Sequence, residues 1–100
     1  MLVIVWEYMV RPDRLEEFEA TYRPDGPWVE LFKRSPGFLS TTLMRDARDP
    51  HRFLVADRWM SEAAYESFKR EFATEYQNLS ERGERQHRAE HLIGRFHFVE

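Results

Sequence analysis

The chain has 100 residues, room for one domain with one modest core, and no Cys, which excludes disulfides, iron–sulfur clusters and thiolate chemistry. Its net charge of −3 argues against a general nucleic-acid binder or an anionic-membrane binder, since either needs a basic face. With 42% apolar and 33% charged residues the composition is globular, and eight Phe, four Tyr and three Trp must line a core, a pocket or an interface.

Leu2–Val10 is apolar on both alternating faces apart from Glu7, the pattern of a strand covered on both sides. It is short and has no basic leader, so it reads as a strand and not a signal peptide. No segment approaches the length of a membrane span. A chain without thiols is expected in a reducing cytoplasm. Arg11-Pro12-Asp13 ends the strand, and Leu15, Phe18 and Tyr22 then recur at helical spacing. Arg23 to Pro27 interrupts that helix, and Trp28, Leu31 and Phe32 predict a second short one. After the Ser35-Pro36-Gly37 turn, Phe38 to Met44 alternates as a strand, with Ser40 and Thr42 on one face and Leu39, Thr41 and Leu43 on the other. Arg45 to Pro50 is a loop, and Arg52 to Trp59 its hairpin partner.

Ser61 suits an N-cap, and Tyr65, Phe68, Phe72, Tyr76 and Leu79 form one helical stripe up to Gly83. Glu81 to Glu90 reads as a mixed-charge run, and Leu92 to Val99 as the last strand. The order strand, helix, strand, strand, helix, strand predicts a single α+β domain over residues 1–100. Its standard solution is the ferredoxin-like βαββαβ fold with a four-stranded antiparallel sheet. Helices would cover one sheet face only. The apolar residues of the first strand on the other face then mark an interface, expected to be filled by a second copy of the chain as a homodimer.

The run Asp49 to Phe68, with its Asp-Pro turn, a strand ending in Trp59, the Ser61 cap and an Ala-rich helix start, resembles the antibiotic biosynthesis monooxygenase family. The Arg11-Pro12-Asp13 turn and Pro36-Gly37-Phe38 also look like this family, so the resemblance runs from Leu2 to about Phe72. It implies a dimeric α+β barrel with a pocket between each sheet and its own helices. It further implies oxidation of an electron-rich phenol or quinol by O₂ without a bound cofactor. Catalytic-type members often carry a His on the helix after the Trp, and the matching position here is Phe68. Haem-opening relatives have a His further along that helix, whereas this chain has none between His51 and His87. The alternative to an enzyme is a non-catalytic dimeric domain that binds a small aromatic metabolite.

Three residues are candidates for catalysis. Asp57 shares a strand face with Phe53, Val55 and Trp59, and a carboxylate among apolar neighbours is a raised-pKa proton acceptor. It could equally pair with Arg58, Arg45 or Arg95. Glu7 is the same oddity in the first strand, and the two would form one polar island if they share the helix side. Trp59 offers an indole N–H to a substrate oxygen, or simply packs the core. Arg95, His97 and Arg58 are candidates to hold a phenolate, Arg95 and His97 sharing a face with Ile93 and Val99. Tyr65, Phe68 and Phe72 would line the pocket or the core. His87-Arg-Ala-Glu-His91 matches a zinc-protease pattern, but that pattern needs a continuous helix and a downstream acid, for which only Glu100 is left, so no metal is expected. The third strand lacks the Gly of RNA-recognition modules.

Overall fold

The alternation of Leu2–Val10 builds β1, the strand on which the molecule is organised. In the computed structural model, which describes residues 1–99, β1 is followed by a 3₁₀ turn (Pro12–Arg14), α1 (Leu15–Tyr22), α2 (Pro27–Phe32), β2 (Phe38–Arg45) and β3 (Arg52–Trp59). α3 (Glu62–Glu71), α4 (Ala73–Gly83) and β4 (His87–His97) complete the chain. The sheet is antiparallel in the order β2-β3-β1-β4, the ferredoxin-like arrangement. Among the described residues no helix is long and apolar enough to cross a membrane.

Leu2, Ile4, Tyr8 and Val10 of β1 and Phe53, Val55 and Trp59 of β3 point to the helices and are buried. They meet Phe18 of α1, Phe32 of α2 and Phe68 of α3. Fully burying a large apolar side chain stabilises by about 1.5–3 kcal/mol, so this aromatic layer dominates the core. Its rings interlock: Phe18 stacks on Tyr22 at 4.5 Å, and Phe32 and Phe68 meet Trp59 at 5.4 Å and 5.0 Å. The opposite sheet face carries Val3, Val5 and Met9, paired with or beside Leu54, Ala56, Met44 and Phe96. No helix covers it, and Met44 and Phe96 stay 42% and 48% exposed.

The Ser61 cap forms as its sequence position suggests, with Oγ accepting from the Ala64 N–H at 3.0 Å. Ser61→Ala is expected to lower stability by about 1 kcal/mol, readable as a shifted denaturation midpoint at unchanged slope.

Two segments differ from the sequence reading. The single helix expected from Ser61 to Gly83 is two, because Phe72 leaves helical geometry at φ −111°, ψ 32°. Backbone bonding continues around it, from Phe72 N–H to Phe68 and from Tyr76 N–H to Phe72, so the break is a one-residue bend. The bend keeps Phe72 7% exposed under the Arg34 guanidinium while α4 carries Tyr76 and Leu79 onto the core. β4 starts at His87, well before Leu92, and ends at His97. It is an edge strand whose side chains are exposed nearly throughout, apart from His87, and its first half, His87 to His91, lacks the apolar alternation by which strands are recognised. Register shifts leave Ile93 and Arg88 unpaired, so β4 is bulged twice. His87 and His91 therefore lie on a strand, not the helix of the zinc pattern, and Glu100 falls outside the described residues. No group of three or more His, Cys, Asp or Glu is placed to hold a metal among the described residues.

Candidate functional site

Between the sheet and the helices lies a small cleft with a cavity of about 40 Å³, open to solvent at its mouth. β1 supplies Trp6 and Tyr8 to it, β2 Thr41, and β3 Val55 and Asp57. α1 supplies Tyr22, α2 Trp28 and Phe32, α3 Tyr65, α4 Tyr76 and β4 Glu90. Strand periodicity explains the selection, since Trp6 and Tyr8 follow Leu2 and Ile4 on the helix side of β1, and Asp57 follows Phe53 and Val55 on β3.

Among the described residues Asp57 is the one buried carboxyl, 6% exposed. It lies opposite Thr41 in the β2–β3 ladder, and Thr41 Oγ1 donates to Asp57 Oδ1 at 2.6 Å. Burial pushes its pKa up to about 6, against the smaller opposing effect of the Thr41 hydrogen bond. The three arginines that sequence offered as partners are elsewhere. Arg45 approaches Glu19, Arg58 donates to Ser40 and Thr42 on the uncovered face, and Arg95 binds Glu66 at 2.9 Å. An acid with one hydroxyl partner in an aromatic cleft can exchange a proton with a bound ligand near neutral pH.

Glu7 does not join it. β1 turns Glu7 to the uncovered face, where Arg52 Nε donates to it at 2.7 Å and Arg52 also binds Asp46 at 2.8 Å. Two backbone N–H groups, from Arg48 and Asp49, and this arginine hold Asp46 down at about 2. The expected polar island of Glu7 with Asp57 is thus split by the sheet itself.

Trp59 is fully buried behind the cleft wall, and its Nε1 has no hydrogen-bond partner. Phe68, 1% exposed, and Phe72 sit in the same layer, Phe68 wedged against Phe32, Trp59 and Tyr76. Tyr65 does line the cleft, and Arg95 lies over its ring at 5.1 Å. His97 Nε2 is 3.2 Å from Glu62 at the exposed end of β4. Ile93 does not share their face, because the bulge at that residue takes it out of the alternation.

Sequence reasoning missed Trp28 and Glu90. Trp28 is 8% exposed, and its Nε1 has no hydrogen-bond partner among the described residues. Its spacing with Leu31 and Phe32 announces the helix but, over only six residues, not that the ring reaches the cleft. Glu90 pairs with Tyr8, a register that the bulge at Ile93 creates. His87, beside Tyr8 at 5.0 Å and 3.7 Å from Glu90, has its pKa lowered chiefly by burial. Tyr8, Tyr22, Tyr65 and Tyr76 are all raised above ordinary phenols, again mainly by burial.

The fold recurs widely among solved structures. A Pseudomonas aeruginosa protein superposes with a TM-score of 0.76 at 19% identity, covering 99% of this chain and 94% of its own. SnoaB, a cofactor-independent oxygenase from Streptomyces nogalater, gives 0.75 at 17% identity over 99% and 93%. A Deinococcus radiodurans protein gives 0.77 at 11% over 100% and 94%. Identities this low show a common fold. No curated protein sequence matches the chain. The family model described as antibiotic biosynthesis monooxygenase matches residues 1–82, from β1 through most of α4. That match spans the cleft except for Glu90, and by it the chain belongs to the antibiotic biosynthesis monooxygenase family.

Proposed function

We propose that this chain is a cofactor-independent monooxygenase that oxidises an electron-rich phenol or quinol with O₂, using the cleft and Asp57. The observation that carries the reading is one buried carboxyl whose pKa is pushed up to about 6, in a cleft walled by aromatic rings. Family membership supports an oxygenase, and SnoaB shows that this fold can host one without a cofactor.

In this reading Asp57 takes the hydroxyl proton of the substrate, and the electron-rich ring then reduces O₂ directly. One oxygen atom replaces ring hydrogen as a carbonyl, the other leaves as water, and the substrate supplies all the electrons. Thr41 orients Asp57 through its 2.6 Å hydrogen bond. The aromatic walls exclude water from the reactive anion. Trp59, Phe68 and Phe72 act as the packed wall behind the cleft, and Tyr65 as part of its surface. Arg95 stands over the Tyr65 ring at the edge of the cleft, His97 lies apart from it at the exposed end of β4, and Glu7 and Arg58 face away.

The working unit in this proposal is a homodimer joined through the uncovered face, where Val3, Val5, Leu54 and Phe96 would be hidden from water. Light scattering is expected to give twice the 12.2 kDa of the chain; a stable lone protomer at low concentration would remove this part of the reading. Oxygen uptake with a panel of quinols and naphthols tests the activity itself. Consumption is expected without added flavin or metal. No uptake with any of them, while an aromatic ligand still binds, would instead leave a binding domain.

A further inference from the structure

We propose that the cleft admits its aromatic ligand as the neutral phenol and discriminates against a phenolate formed beforehand in solution. This rests on the reading of the cleft as the ligand site and adds the charge state in which the ligand arrives.

Two carboxyl groups, Asp57 and Glu90, line the cleft, and among the described residues no Lys, Arg or His does. The two cations that come near are turned elsewhere. Arg95 is held by Glu66 at 2.9 Å and covers the Tyr65 ring without lining the cleft. His87 packs on Tyr8, and its burial favours the neutral imidazole. A phenolate entering this space would bring a third negative charge to two acids with no lining cation to offset it. A neutral phenol meets compatible groups. Asp57 can accept from its hydroxyl, and the unpartnered Trp28 N–H can donate to its oxygen.

The cleft already contains four phenols, and they show how the group behaves there. Tyr8, Tyr22, Tyr65 and Tyr76 line it, and each holds its proton more tightly than in water. Burial is the main cause for all four, and the charge of Glu90 or Asp57 adds to it in each, while Arg95 opposes it at Tyr65 and Tyr76 without reversing it. Proton transfer inside the complex avoids the repulsion. When the bound phenol gives its proton to Asp57, the negative charge moves from carboxylate to ligand and the charge of the cleft is unchanged.

The test uses 4-nitrophenol, whose neutral and ionised forms differ in colour, with unsubstituted phenol as a control that stays neutral across the range. Binding is followed by quenching of the tryptophans over pH values spanning the ionisation of the nitrophenol. The neutral form is expected to bind at least about tenfold more tightly, which appears as a rise of about one unit in the pKa of the bound probe. The phenol control corrects for the titration of Asp57 itself. Glu90→Gln, at a position whose side chain is 43% exposed and so tolerant of change, is expected to shrink the preference. Equal or tighter binding of the phenolate overturns this inference and leaves the cleft as a ligand site. A preference unchanged in both Glu90→Gln and Asp57→Asn overturns its electrostatic cause. Failure of both probes to bind overturns the cleft reading, and this inference with it.

Discussion

Replacing Asp57 by Asn is expected to cut oxygen consumption by about 10²- to 10⁴-fold, the usual worth of a positioned base, while an aromatic ligand still binds. The same change is expected to make the protein more stable at neutral pH. Burial raises the Asp57 pKa from the ordinary 3.8 to about 6, so between those two pH values the folded chain holds a proton that the unfolded chain has released. Stability therefore falls as pH rises through that window, by on the order of 3 kcal/mol in all, and stays lowered above it. Asn carries no such charge and keeps an oxygen to accept from Thr41. The melting-temperature gain of Asp57→Asn over wild type should then be largest above about pH 6 and fade below about pH 4. Turnover in the wild type should rise with pH through the same carboxyl near 6. Lower activity without the pH-dependent gain in stability would mean that Asp57 is not buried and strained in the way described.

Trp59→Ala is expected to cost about 3–5 kcal/mol, enough to threaten folding of a domain this small. Trp59 is 0% exposed and touches Phe32, Phe38, Tyr65 and Phe68, which come from α2, α3 and β2. Removing it opens a cavity where those elements meet. Trp59→Phe should behave quite differently. It keeps a ring in the layer and removes an indole N–H that is buried without a partner, so loss of packing and relief of desolvation oppose each other. Urea unfolding should place Trp59→Phe within about 1–2 kcal/mol of wild type. Oxygen uptake separates the two roles offered for this residue. A wall residue allows Trp59→Phe to keep most activity at a given folded concentration, whereas a residue donating to substrate would show a loss out of proportion to its stability.

The fold was legible because its signals are repetitive. β1, β2, β3 and the α1–α2 pair each span a stretch in which apolar spacing has one period, and the connections carry Pro, Gly or Ser where the chain must turn. Asp57 was legible for the same reason, since its face follows from Val55 and Phe53, two and four residues before it. The relation of Glu7 to Asp57 was not, because parity fixes faces within a strand but not between strands. Pairing decides it: Glu7 lies opposite Leu54 and Asp57 opposite Ile4, which sets the two acids on different sides. The bend at Phe72 was hidden by an aromatic stripe that continues smoothly across it. Trp28 was visible as part of a short helix, but that its N–H lacks a partner among the described residues depends on how α2 packs, which no local pattern encodes.

The unpaired Ile93 has an effect on the electrical character of the interior. Continued regularly from Arg95 and His97, β4 would turn odd-numbered residues inward and bring His91, a group able to become positive, toward the ligand. The extra residue reverses the parity, so Glu90 faces inward opposite Tyr8 and His91 is paired with Glu7 on the far side. The sign of the charge that a ligand meets is thus set by where one strand stumbles as well as by which residues were chosen. Without that stumble, or with it moved beyond Glu90, His91 would stand opposite Tyr8 in place of Glu90, with no change in composition.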